Sequence, residues 1–149
     1  MTYMTATSAL PDPIDQPEFY VGVLPKRAMA WVIDVFLITA LTFVAGILTL
    51  SLAWFLWPLF FLVIGVLYRV STLTNRSATW GMRAMGIELR DVRGERFDGL
   101  QATLHVLGYY GTLAFVLPAL ASFAAMVITD KRQSLTDLLL GTAAINRPG

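Results

Sequence analysis

The fold is decided between Lys26 and Tyr68. The stretch opens KRAMAWVID (Lys26–Asp34), two cations leading through apolar residues to one carboxylate, and continues VFLITALTFVAGILTL (35–50) with no charge at all. From Ala28 to Tyr68 the only ionisable side chain apart from Tyr68 itself is Asp34. A membrane-crossing helix needs roughly 20 predominantly apolar residues, so residues 28–68 are long enough for two helices joined by a tight turn. We place them at about 27–49 and 53–70. The break at Leu50–Ser51–Leu52 carries no glycine, proline or asparagine to fix it. Trp54 and Trp57 near that turn, and Tyr68 at the far end, suit the aromatic belts of a bilayer interface.

Composition supports the same class. Of 149 residues 56% are hydrophobic and 14% charged, with a mean hydropathy of +0.65, against about 45–50% and 25% in a soluble domain. That excess faces lipid or other membrane proteins. A net charge of +1, from 11 Lys and Arg against 10 Asp and Glu, excludes a strongly basic nucleic-acid binder. The absence of cysteine excludes thiol chemistry, disulfides and thiolate metal sites. With a single histidine, His105, and no GxSxG-type elbow, we expect neither a metal site, a cofactor nor an enzyme.

The flanks differ in character. Residues 1–23 hold Pro11, Asp12, Pro13, Asp15, Pro17 and Glu18, which reads as a flexible or surface-lying tail and not as a cleaved signal peptide. Residues 147–149 read as a short C-terminal tail. The polar loop 71–99, with Arg69 just before it, carries Arg76, Arg83, Arg90, Arg93 and Arg96 among Glu88, Asp91, Glu95 and Asp98. Together with Lys26 and Arg27 these arginines put both ends of the helical pair, and the N-terminus, in the cytoplasm. GIELRDVRGERF (86–97) reads as a β-hairpin turning at Arg93-Gly94, with GTAAI (141–145) a candidate third strand. Leu100–Ile128 is apolar again apart from His105 and Pro118. It is either one tilted pass or a segment that bends near Gly111–Pro118 and returns, and the cations on both sides of it favour the return.

Three blocks in this order resemble the RDD family of small bacterial membrane proteins. They are Arg27-Ala-Met-Ala-Trp-Val-Ile-Asp34, Thr79-Trp-Gly-Met-Arg-Ala-Met-Gly-Ile87, and Asp130-Lys-Arg-Gln-Ser-Leu-Thr-Asp137-Leu-Leu-Leu-Gly-Thr142. The resemblance covers about 25–146 and implies an all-α membrane protein of three to four transmembrane or re-entrant helices, with a small cytoplasmic loop holding the hairpin. It also implies Asp137 as the partner of Arg27. Thr136 stands where the family usually has a histidine, and His105 where a basic residue is common in the third apolar segment. Some relatives are implicated in cation/proton antiport.

The candidate polar cluster is Arg27, Asp34, Arg83, His105 and Asp137, with Thr79, Gly81 and Gly86 as the loop motif. Arg27 and Asp34 lie two helical turns apart, roughly 10 Å, so they share a face without touching. A buried carboxylate needs donors, a wet cavity or a proton. For Asp34 the sources are Arg83, His105, Lys131, Arg132, or donors around Gly81 and Thr142. Asp34 is thus a structural anchor, a proton- or cation-binding group, or an interface contact with a partner protein. Arg27 is either a snorkelling cation or a buried ion-pair member. Asp137 is either a helix-start acid, with Ser134 or Thr136 capping and Gly141 closing, or Arg27's partner. GMRAMG (81–86) is a glycine-bounded turn holding Arg83 near lipid headgroups, and its spacing is not that of a phosphate loop. His105 is either an interfacial histidine or, because imidazoles titrate near neutral pH, a proton relay with Asp34.

Two functions follow. One is cation or proton transport through this cluster, in a bacterial inner-membrane protein that works as a homo-oligomer, since three or four segments do not build a transporter alone. The other is a non-catalytic accessory or assembly subunit of a larger membrane complex, packing through small-residue surfaces such as ALASFAAMV (119–127).

Overall fold

Two long helices fill the apolar run in the computed structural model, which describes residues 8–148. Helix α1 runs Val23–Leu48, about 39 Å at 1.5 Å per residue and enough to cross a hydrocarbon core of about 30 Å. Its buried residues are Val23, Ala30, Asp34, Ile38, Thr42 and Gly46, a stripe at four-residue spacing from Ala30 onward. The outward face is large and apolar: Phe36 is 72% exposed and Leu48 79%. Small and polar residues inside with bulky hydrophobes outside is a membrane pattern. The turn after α1 uses two non-glycine residues in left-handed conformation, Leu50 (φ 53°) and Ser51 (φ 78°). Thr49 stabilises it, its hydroxyl donating to the Ala45 carbonyl (2.7 Å) and accepting from the Ala53 amide (3.0 Å). A one-turn helix α2 (Leu52–Phe55) leads into α3 (Trp57–Arg76), and Pro58 in its first turn costs no hydrogen bond there.

The polar loop begins with α4 (Trp80–Met85), capped by the Thr79 hydroxyl, which accepts from the Met82 amide, and closed by Gly86 at φ 72°. Gly81 lets this helix lie directly on α1, since a Cβ there would sit 2.2 Å from the Ala30 carbonyl oxygen. Strand β1 (Ile87–Arg90) follows. It pairs antiparallel with β2 (Ala143–Asn146), Ile87 opposite Asn146 and Arg90 opposite Ala143. The two-stranded sheet is therefore present, but its second strand is the C-terminal segment first read as a third strand, not the arm after Arg93-Gly94. That arm is held as a loop by Asp91, whose carboxylate accepts from the amides of Arg93 and Glu95 (2.9 Å each).

Helix α5 (Gly99–Leu113) starts on an Asp98 cap and α6 (Val116–Ile128) continues it after a bend of 117°. The bend falls at Ala114–Phe115, so Pro118 belongs to the first turn of α6, where its missing N–H is harmless. Helix α7 (Leu135–Leu140) carries a reciprocal capping box between Ser134 and Asp137 and ends at Gly141, φ 71°. One buried cluster joins Val23, Ala30, Leu73, Ile87, Leu89, Phe97, Ala102, Val106 and Ala144. Residues 8–20 take the surface-lying alternative, since the Ala9 amide donates to the Val92 carbonyl (2.8 Å) and Leu10 and Tyr20 pack on Ala143 and Ile145. The rest of the N-terminal tail and Gly149 lie outside the described residues.

Candidate functional site

Asp34 sits about three turns inside α1 and is 1% exposed. The close approach of α4 at Gly81 brings donors to it. Oδ1 accepts from the Tyr68 hydroxyl (2.7 Å) and the Gly81 amide (2.9 Å), and Oδ2 from the Thr79 hydroxyl (2.6 Å). Arg69 supplies a countercharge at 3.8 Å, too long for a hydrogen bond. The carboxylate thus ties α1, α3 and α4 together.

Asp137 is completely buried at the start of α7. Its Oδ2 accepts from Arg27 Nη1 (2.7 Å) and from the Ser134 amide (3.0 Å) and hydroxyl (2.9 Å); Oδ1 accepts from the Thr142 hydroxyl (2.7 Å) and faces His105 Nε2 at 2.9 Å. Burial alone would raise its pKa. The Arg27 guanidinium, His105 and the Ser134 amide overcome that and hold the carboxyl far below the ordinary carboxylate range. An ionised carboxylate only accepts, so Nε2 of His105 carries the hydrogen and the charge of the imidazole is decided at Nδ1. Arg27 also donates to the Arg132 carbonyl (3.2 Å), which fastens α1 to the segment entering α7.

Both clusters border one cavity of about 500 Å³. The bend between α5 and α6 turns their apolar side chains over it. Arg27, Asp34, Arg69, His105, Ser134 and Thr136 line its polar part, and Val32, Leu113, Phe123 and Met126 its apolar walls. From the Asp34 side, contacts reach across to α5. Arg69 lies over the Tyr109 ring, 4.4 Å from its centroid, and donates to the Tyr109 hydroxyl (3.2 Å), which also accepts from Trp31 Nε1 (2.7 Å).

Of the residues named from sequence, the structure brings Arg27, His105 and Asp137 together, and Asp34 with Thr79 and Gly81. His105 pairs with Asp137 and not with Asp34, because α5 meets α7 at that level while α4 covers Asp34. Arg83 stands apart from both clusters, its guanidinium over the Trp80 ring at 5.2 Å. Gly86 shapes the end of α4 and touches neither cluster. Sequence reasoning missed Arg69 and Tyr68, which read there as interfacial residues at a helix end. A further acid, Glu88 on β1, is fully buried. It bonds Arg90, with Arg147 at 3.6 Å and Arg96 at 3.7 Å. Among the described residues no three His, Asp or Glu side chains converge as a metal site.

The apolar helices and the two buried aspartates that tie them to the polar segments define a helical membrane protein. The chain belongs to the RDD family, whose model matches residues 21–141. No curated protein and no solved structure matches it.

Proposed function

We propose that the chain translocates ions across the bacterial inner membrane, exchanging a proton at His105 for a monovalent cation that enters the cavity. The observation that supports this reading is the His105–Asp137 contact of 2.9 Å in a cluster bordering the cavity. Asp137 stays charged throughout, fixed by Arg27, Ser134 and Thr142, and serves as countercharge while Nδ1 of His105 gains and loses the proton. A cation entering beside the imidazole disfavours its charged form and drives the proton off, which is the coupling that antiport needs. Asp34 is fixed by its own donors and acts as an anchor on this reading. Lys26, Arg27 and the loop arginines set the N-terminus in the cytoplasm by their positive charge. Three short segments do not enclose a path, so the working unit is a homo-oligomer or part of a larger complex, and no covalent chemistry is involved. The test uses proteoliposomes with a luminal pH dye and pulses of sodium or potassium. Wild type should give a cation-driven pH change, and His105→Gln should abolish it. A silent wild type, or undiminished flux in His105→Gln, overturns the reading.

A further inference from the structure

Two residues that line the cavity each carry a buried side-chain atom with no partner among the described residues. Arg69 is 7% exposed, yet among the described residues its guanidinium makes one hydrogen bond, to Tyr109. Its Nε is buried and unbonded, and Nη1 stands 3.8 Å from Asp34 Oδ2, beyond hydrogen-bond reach. Five N–H groups in a fixed fork are built to hold an oxyanion. Thr136, 3% exposed on α7, has a buried and equally unbonded hydroxyl. Both residues line the same cavity. An unmet buried donor costs about 1–3 kcal/mol, so two in one cavity point to a ligand that accepts from them.

The remaining walls describe the rest of that ligand. Val32, Leu113, Phe123 and Met126 are apolar and come from α1, α5 and α6. The volume of about 500 Å³ falls in the range of small-molecule sites. The acids there do not repel an anion strongly, because Asp34 already accepts three hydrogen bonds and Asp137 is offset by Arg27.

We propose that the cavity binds an anionic amphiphile, a single-chain molecule whose carboxylate or phosphate head accepts from Arg69 and Thr136 while its acyl chain lies between α1, α5 and α6. The proposal goes beyond the proton reading: it shares that cavity but rests on Arg69 and Thr136 and not on His105. Trp31 lines the cavity and reports occupancy. Purified full-length protein in uncharged detergent is titrated with dibromostearate, a dibrominated lysophosphatidate and a dibrominated monoacylglycerol, following tryptophan quenching. The acid, the phosphate or both should quench saturably, with the uncharged ester at least tenfold weaker. A response to one head alone narrows the ligand to that oxyanion. Trp31→Phe should lose the saturable component. Arg69→Gln should weaken binding at least tenfold, Thr136→Val about three- to tenfold, about 0.7–1.4 kcal/mol at 1.4 kcal/mol per decade, and Ala119→Trp, which fills the chain's path, should abolish it. Equal quenching by the uncharged ester, or unchanged binding in Thr136→Val and Ala119→Trp, overturns the proposal even if Arg69→Gln does not fold. Full competition by chainless inorganic phosphate overturns its acyl part.

Discussion

At the scale of single residues, the two aspartates hold the fold by different physics. Asp34 accepts neutral hydrogen bonds from two hydroxyls and one amide, with its cation at 3.8 Å. In Asp34→Asn the carbonyl keeps Tyr68 and Gly81, and the amide donates to the Thr79 hydroxyl once that rotor turns. We expect a loss of about 1–2 kcal/mol. Asp137 instead neutralises Arg27, so Asp137→Asn strands a buried cation and should cost about 3–5 kcal/mol. Thermal unfolding of the purified variants in detergent checks the order; equal losses would mean that Asp34 is also a true ion-pair member. The pH dependence has a definite sign. The folded state holds Asp137 ionised below its ordinary pKa of 3.8. Its stabilisation is complete above about pH 4 and fades as the pH falls below that value. Acid melting curves should show this loss in wild type and not in Asp137→Asn. The sequence announced both acids, since a carboxylate in or beside an apolar run demands partners. It hid Arg69, because a cation ending a hydrophobic segment looks like an interface anchor until another helix buries it.

At the scale of elements, the closest joint is α4 on α1. From sequence GMRAMG reads as a glycine-bounded turn, whereas the structure makes it a short helix capped by Thr79 and closed by Gly86. Its docking was foreshadowed only by Gly81. A methyl there would meet the Ala30 carbonyl at 2.2 Å and the Asp34 carboxylate at 2.8 Å, and backbone cannot move aside cheaply. Gly81→Ala should therefore cost about 1–3 kcal/mol by overpacking and break the amide bond to Asp34. The control is Gly111→Ala in α5, where nothing lies within 4 Å of the added carbon. It should be neutral or stabilising by up to about 1 kcal/mol from helix propensity. A melt in which both variants behave alike would show that α4 does not rest on α1. The loop strand illustrates why pairing is harder to read than element type. Ile87 and Leu89 alternate as a strand should, but their partner lies more than fifty residues on. Arg93-Gly94 offered a nearer one that the Asp91 carboxylate converts into a turn.

At the scale of the whole molecule, the ends close the structure over the polar half. Asn146 holds three segments at once, donating to the carbonyls of Glu18 and Val21 (2.8 Å each) and accepting from Lys26 Nζ (2.7 Å). Next to it the Arg147 amide donates to the Gly86 carbonyl (2.8 Å). Removing residues 143–149 would unpair β1, uncover Ile87 and Leu89, and leave Leu10 and Tyr20 without Ala143 and Ile145. It would also withdraw Arg147 from Glu88, adding to the cost of that buried carboxylate. The membrane helices keep their own backbone bonds and remain inserted, since lipid enforces them. The truncated chain should therefore still reach the membrane and extract with detergent. Its protease sensitivity should rise within 87–98, with a lower and broader melting transition. Truncation that leaves proteolysis and melting unchanged would show that α1, α3 and α5 hold the loop alone, making β2 an ornament of the fold and not its clasp.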